Sequence, residues 1–326
     1  MKTVELREPG APDVLEPGSR ALPAVKPHEV LVKVCSVGVN GPDLVQRRGH
    51  YPPPPGASDL LGLEVSGEVV AIGRDVTRWQ PGDTLCALTN GGGYAEYVAI
   101  DATHCLAIPE HVDLQDAAGL PETFFTVWSN CFYQLQQPAG ALFLVHGGAG
   151  GIGSTALQLG AALGLRVMTT CATDEDADYC RSLGAERAIN YQQEDFVEIV
   201  REAGGANLIL DIVGGDYIAR NIKAASADAR IVQLAFNKGS KVELNLMPIM
   251  LKRLIYTGST LRSRPDAFKT AIARSLEAEV WPLFAAGKIK ARTHAVLTFD
   301  QAGEAHRLME SAQHRGKILM VPGSAD

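Results

Sequence analysis

Aromatic residues are scarce in this 326-residue chain, at 6%, and its basic residues gather in no cluster. With a formal net charge of −7, such a chain is a poor match for nucleic acid or an anionic membrane as its main partner. Six cysteines, at positions 35, 86, 105, 131, 171 and 180, include no CxxC pair. That excludes a zinc lobe of four close thiolates and argues against a disulfide framework, so they read as small buried hydrophobes. The eight histidines show no HxxxH spacing. No apolar run approaches the roughly 20 residues that span a membrane. The start, MKTVELREPG, lacks the basic-then-apolar order of a signal peptide, and a cytoplasmic location is expected.

What is present falls into two textures. Up to about residue 120 the chain is rich in glycine and proline, with short runs such as EVLVKVCSVGVN, LEVSGEVVAIG, DTLCAL and GYAEYVAI bounded by turns. These predict a small, mostly β module. From about 124, longer helical stretches alternate with the apolar runs LFLVH, RVMTT, NLILDIV and RIVQLAF, which implies βαβ units around a buried parallel sheet. After about 265 come a helical stretch, HAVLTF, a further helix and the strand KILMV, which is able to return to the first module.

Between LFLVH and the next helix stands HGGAGGIG, with Gly148, Gly150 and Gly153 in GxGxxG spacing and Ala149, Gly151 and Ile152 completing the turn. The three glycines serve different physical ends, namely a tight turn, close approach of backbone to a pyrophosphate, and close packing of helix on strand. The helix N-terminus offers free N–H groups and a positive dipole end to phosphates. A ribose-binding acid is expected about 20 residues on in an NAD site. Ala172 stands there instead, which leaves room for a 2′-phosphate and favours NADPH, with NADH as the alternative. Thr173 reads as a helix N-cap followed by Asp174, Glu175 and Asp176, whose charges complement the helix dipole but oppose a 2′-phosphate.

The ordered blocks GVNGPDLVQRRGHYPPPPGA (38–57), LGLEVSGEV (61–69), AGLPETFFTVWSN (118–130), the glycine turn, AINY (188–191), LDIVGGD (210–216), TGSTLRSR (257–264) and GKI (316–318) resemble the zinc-independent quinone oxidoreductases of the medium-chain dehydrogenase/reductase superfamily. The resemblance covers essentially the whole chain. It implies an α/β protein: a GroES-like, mostly β catalytic domain over 1–123, completed by 265–326, and a doubly wound Rossmann domain with a parallel sheet over 124–264. The nicotinamide ring would lie in the cleft between them. Homodimers or homotetramers are usual in the family, and KVELNL (241–246) looks like the strand that pairs with a second subunit.

The positions that hold catalytic zinc in related alcohol dehydrogenases are taken here by Asn40, Leu63 and Glu122, a set unable to supply the usual three ligands. The resemblance places Tyr51, Asn40 and Thr126 at the catalytic end. Asp43 either faces the nicotinamide or caps the following helix, and Glu64 is expected to support the cleft through hydrogen bonds. Thr173, Tyr191, Phe236, Gly258, Ser259, Leu261, Arg264 and Lys317 join the glycine turn as implied cofactor contacts. The resulting expectation is an NADPH-dependent, metal-independent reductase of a small-molecule quinone or activated alkene. A reductase of enone or enoyl-thioester double bonds is the alternative enzyme. A cofactor-binding structural or regulatory protein with little turnover is the alternative from another class.

Overall fold

The computed structural model describes residues 1–135 and 137–323. The chain forms two compact units, Met1–Phe125 with Arg262–Asp326, and Thr126–Leu261. The second unit is built on a six-stranded, wholly parallel sheet. Across the sheet its strands are Arg187–Asn190, Arg166–Cys171, Leu142–His146, Ala206–Asp211, Ala225–Gln233 and Ile255–Gly258. Numbered along the chain this is the order 3-2-1-4-5-6 of a doubly wound dinucleotide fold. Every residue of Leu142–His146 is buried, as a central strand covered on both faces must be. Leu142, Leu144, Ile189, Phe196, Ile209 and Ile231 share its core.

The stretch read as a strand for pairing with a second subunit has no partner within this chain. Residues 241–246 form no strand; they run unpaired into the short helix Met247–Lys252. The edge of the sheet is instead Ile255–Gly258.

The first unit is organised around Glu29–Val39. This long strand pairs antiparallel with Glu64–Ile72, with Tyr97–Asp101 and, at its far end, with the C-terminal strand Lys317–Val321. The last of these pairs in parallel with Thr293–Thr298. KILMV therefore returns to the first module, as its apolar pattern suggests. Val30, Val32, Val34, Val37 and Val39 pack with Val65, Val69 and Leu85 in one core.

A polar chain runs through that core. Arg47, 1% exposed, donates from Nη1 to His306 Nδ1 (3.1 Å) and from Nε to the Gly10 carbonyl (2.9 Å). Guanidinium has no acceptor, so His306 Nδ1 accepts and its Nε2–H donates to the Tyr94 hydroxyl at 3.0 Å. Burial, then the Arg47 charge, pushes His306 down to about 3 from its usual 6.5. The unfolded chain binds this proton near pH 6.5 and the folded chain does not. The group's contribution to stability is thus complete above pH 6.5 and is lost as pH falls. Between pH 7 and pH 5, His306 alone should lower the unfolding free energy by about 2 kcal/mol. Urea unfolding at both pH values should show the wild type losing about that much more than His306→Gln. Equal losses would contradict the assignment.

Candidate functional site

The glycine turn leaves the C-terminal end of Leu142–His146, next to the point where the strand order reverses. Gly147 takes φ 73°, a left-handed conformation that turns the chain towards the helix Gly151–Ala162, whose N-cap is Gly150. A Cβ on Gly148 would lie 2.2 Å from Thr169 Oγ1, and one on Gly153 would lie 2.2 Å from the Gly147 carbonyl oxygen. Those two glycines are therefore needed for packing of turn, strand and helix. Gly150 differs: an added Cβ would have no neighbour nearer than 3.9 Å, so its backbone faces open space. An anionic group can approach there, at the helix N-terminus.

Ala172 follows the strand Arg166–Cys171, and no acid stands at that strand end. Thr173 caps Asp174–Ser182 by accepting from the Asp176 amide at 3.1 Å, as the N-cap reading requires. Asp174 accepts from Asn190 Nδ2 at 2.9 Å, while Asp176 stays half-buried in the first helical turn. Tyr191 and Phe236 are exposed, at 44% and 46%. Gly258 ends the edge strand, with the Gln233 carbonyl 2.7 Å from where its Cβ would be. Ser259 Oγ donates to Asn130 Oδ1 at 2.9 Å, and Asn130 Nδ2 donates to the Thr126 carbonyl at 2.8 Å. Asn130 thus joins two implied site residues, Thr126 and Ser259, though no sequence motif singles it out. Leu261 is buried.

The other implied residues belong to the first unit, where Lys317 is the centre of a buried cluster. Its Nζ lies 2.7 Å from Glu64 Oε1 and donates to Asn40 Oδ1 (2.6 Å) and the Val39 carbonyl (3.1 Å). Glu64, 0% exposed, also accepts from Asn40 Nδ2 (2.9 Å) and the Glu122 amide (2.8 Å). Gly38 makes the space: a Cβ there would sit 2.0 Å from Glu64 Oε1. Glu64 supports this region by hydrogen bonds, as expected. Within the chain, the Lys317 ammonium and the Asn40 amide are both engaged in this cluster. Asp43 accepts from the Asn40 and Gly62 amides, each at 2.9 Å, which makes it the N3 partner of the Asn40 N-cap in a capping box at the start of Gly41–Arg47.

The cluster orders its acids. Burial, opposed by the two amide donors, brings Asp43 up to about 6. Burial and the neighbouring Glu64 carboxylate push Glu122 up to about 8, so it carries its proton at neutral pH. Burial also raises the half-buried Tyr51 phenol, which remains a donor. Leu63 is core. Among the described residues, no three or more His, Cys, Asp or Glu side chains are placed to hold a metal ion. Arg264 is exposed and stacks on Phe268 at 3.9 Å.

Residues 26–110 match the alcohol dehydrogenase GroES-like domain family, and residues 151–277 match the zinc-binding dehydrogenase family. The quinone oxidoreductase of Rattus norvegicus is 27% identical over 98% of both chains. The Escherichia coli quinone oxidoreductase, solved in complex with NADPH, superposes with TM-score 0.89 at 26% identity, covering 99% of this chain and 100% of that one. The CurK enoyl reductase superposes with TM-score 0.85 at 25% identity, covering 98% and 99%.

The cluster makes a prediction about stability. Replacing Lys317 by Met strands a buried carboxylate and should cost about 3–5 kcal/mol. Adding Glu64→Gln to Lys317→Met should recover part of that loss, because the remaining group is uncharged. Chemical unfolding of both variants tests this, and a double variant no more stable than Lys317→Met would refute it.

Proposed function

As a member of the medium-chain dehydrogenase/reductase superfamily, the chain is an oxidoreductase, and we propose that it reduces quinones with NADPH and without a catalytic metal. The observation that carries this reading is the turn at Gly148–Gly153. It is cleared of side chains where phosphates would approach and is aimed from a helix N-terminus. Bound there, the nicotinamide cofactor would supply a hydride. The chain's own residues do the rest. Gly150 and the first helical amides hold the pyrophosphate, and the acid-free strand end at Ala172 admits a 2′-phosphate. Asn130 braces Thr126 and Ser259. Tyr51, kept protonated, offers its O–H to an acceptor oxygen.

Metal-free chemistry is supported by the donor set itself. Asn40 and Glu64 already hold the Lys317 ammonium between them, and a second cation would be repelled. A quinone suits such a site, because its reduced anion is delocalised and needs no Lewis acid. The edge strand Ile255–Gly258, with exposed Leu246, Met247, Met250 and Leu251 beside it, suits pairing with a second copy of the chain.

One observation favours reduction of an activated double bond. The carbanion formed there needs a proton, and Glu122 holds one at neutral pH. Oxidation of NADPH and NADH by chelator-treated protein, with a 1,2-quinone and an enone in parallel, separates the readings. Quinone turnover that survives the chelator is expected; turnover confined to the enone would shift the reaction to alkene reduction, and silence with both would defeat the proposal. Asp176→Asn should raise the NADPH/NADH preference. One charge removed at about 5 Å is worth about 0.8 to 3 kcal/mol, or roughly fourfold to a hundredfold. An unchanged ratio would remove Asp176 from cofactor selection.

A further inference from the structure

Two positive charges in the first unit are buried with only neutral groups as hydrogen-bond acceptors. Arg262 is 6% exposed and Lys269 is 1% exposed. Arg262 donates from Nε and Nη2 to the Asn90 carbonyl (2.9 and 2.6 Å) and from Nη1 to Gln46 Oε1 (2.7 Å). Lys269 Nζ donates to Asn90 Oδ1 (2.7 Å) and to the Arg262 carbonyl (3.0 Å). All these acceptors are neutral. Among the described residues neither cation forms an ion pair, although buried charges are ordinarily paired.

The remaining donors and the nearby acids give the arrangement a direction. Guanidinium has five N–H groups and ammonium three, so two on Arg262 and one on Lys269 are left over after these bonds. On one side, the segment 88–92 lines a cavity whose walls carry Glu29, Asp101 and Asp266 together with Lys26, His28 and His104, and Asp266 and Asp101 act on the Lys269 charge. On the other, the Arg262 guanidinium lies 5.5 Å from the centre of the half-buried Tyr51 ring. The carboxyls coupled to Arg262 from that region are Asp43 and Glu122. Asp43 is spent on backbone amides, and Glu122 is protonated at neutral pH. The Arg262 guanidinium, with two N–H groups left over, thus stands beside Tyr51, and of the two carboxyls only Asp43 is charged at neutral pH.

We propose that Arg262, assisted by Lys269, forms an anion-recognition site beside Tyr51 that takes the carboxylate, or an equivalent single negative group, of a planar organic ligand. The fork of the guanidinium matches a carboxylate, and its place over an aromatic ring suits a flat partner. The statement that this ligand is the acceptor rests on the reductase reading; the existence of the site does not. A carboxylated quinone is then a better acceptor than its neutral parent, through a lower KM.

The test is calorimetric titration of the full chain with sodium benzoate and with uncharged benzamide. Saturable benzoate binding at least tenfold tighter than benzamide is expected in the wild type. Arg262→Met should weaken benzoate at least tenfold, to the benzamide level, and Lys269→Met should weaken it less. Equal affinity for the two probes in the wild type, no binding of either, or benzoate binding retained in Arg262→Met would overturn the site. The wild-type comparison stands whether or not the variants fold. Because binding is read without turnover, its failure leaves quinone reduction untouched. Benzoate binding by a protein inert towards quinones would instead leave the site and defeat the reductase reading.

Discussion

The buried contact of Lys317 with Glu64 is the constraint on which much of the first unit depends. It joins the C-terminal strand Lys317–Val321 to Glu64–Ile72 across Glu29–Val39, the strand between them. Neither charge reaches water, so each is tolerable only while the other is in place. Asn40 accepts from the ammonium and donates to the carboxylate, which ties the start of Gly41–Arg47 to the same point. The missing side chain at Gly38 is part of the same arrangement, since any Cβ there would collide with Glu64.

The electrostatics of the neighbouring acids follow from this pair. Burial, with the donor-saturated Glu64 carboxylate beside it, leaves Glu122 neutral. Glu122 thereby becomes a carboxyl that can hold and release a proton near neutral pH. The fold accommodates many chemistries, so the reading of function rests on these groups rather than on the architecture.

In the second unit the corresponding constraint is steric. Gly148 and Gly153 are required by Thr169 and by the Gly147 carbonyl, so they set the angle at which helix leaves strand, whatever is bound. Gly150 meets nothing and is open to a ligand. One motif thus divides its glycines between packing and recognition, and the difference becomes visible only when the neighbours of each are known.

Local patterns were sufficient for the architecture. Apolar runs such as LFLVH and EVLVKVCSVGV are strands because alternation and burial act within a few residues, and Thr173 caps its helix because a hydroxyl three residues before an amide can reach it. KVELNL is unpaired within the chain, since a strand-like pattern does not by itself provide a strand to pair with. The polar groups were decided by tertiary structure. Lys317 meets Asn40 across 277 positions, and Arg262 meets the Asn90 carbonyl across 172. No period or spacing in the chain encodes such partners. Which charges are paired and which acid keeps its proton depend on burial and distance, and these exist only once the strands have been brought together.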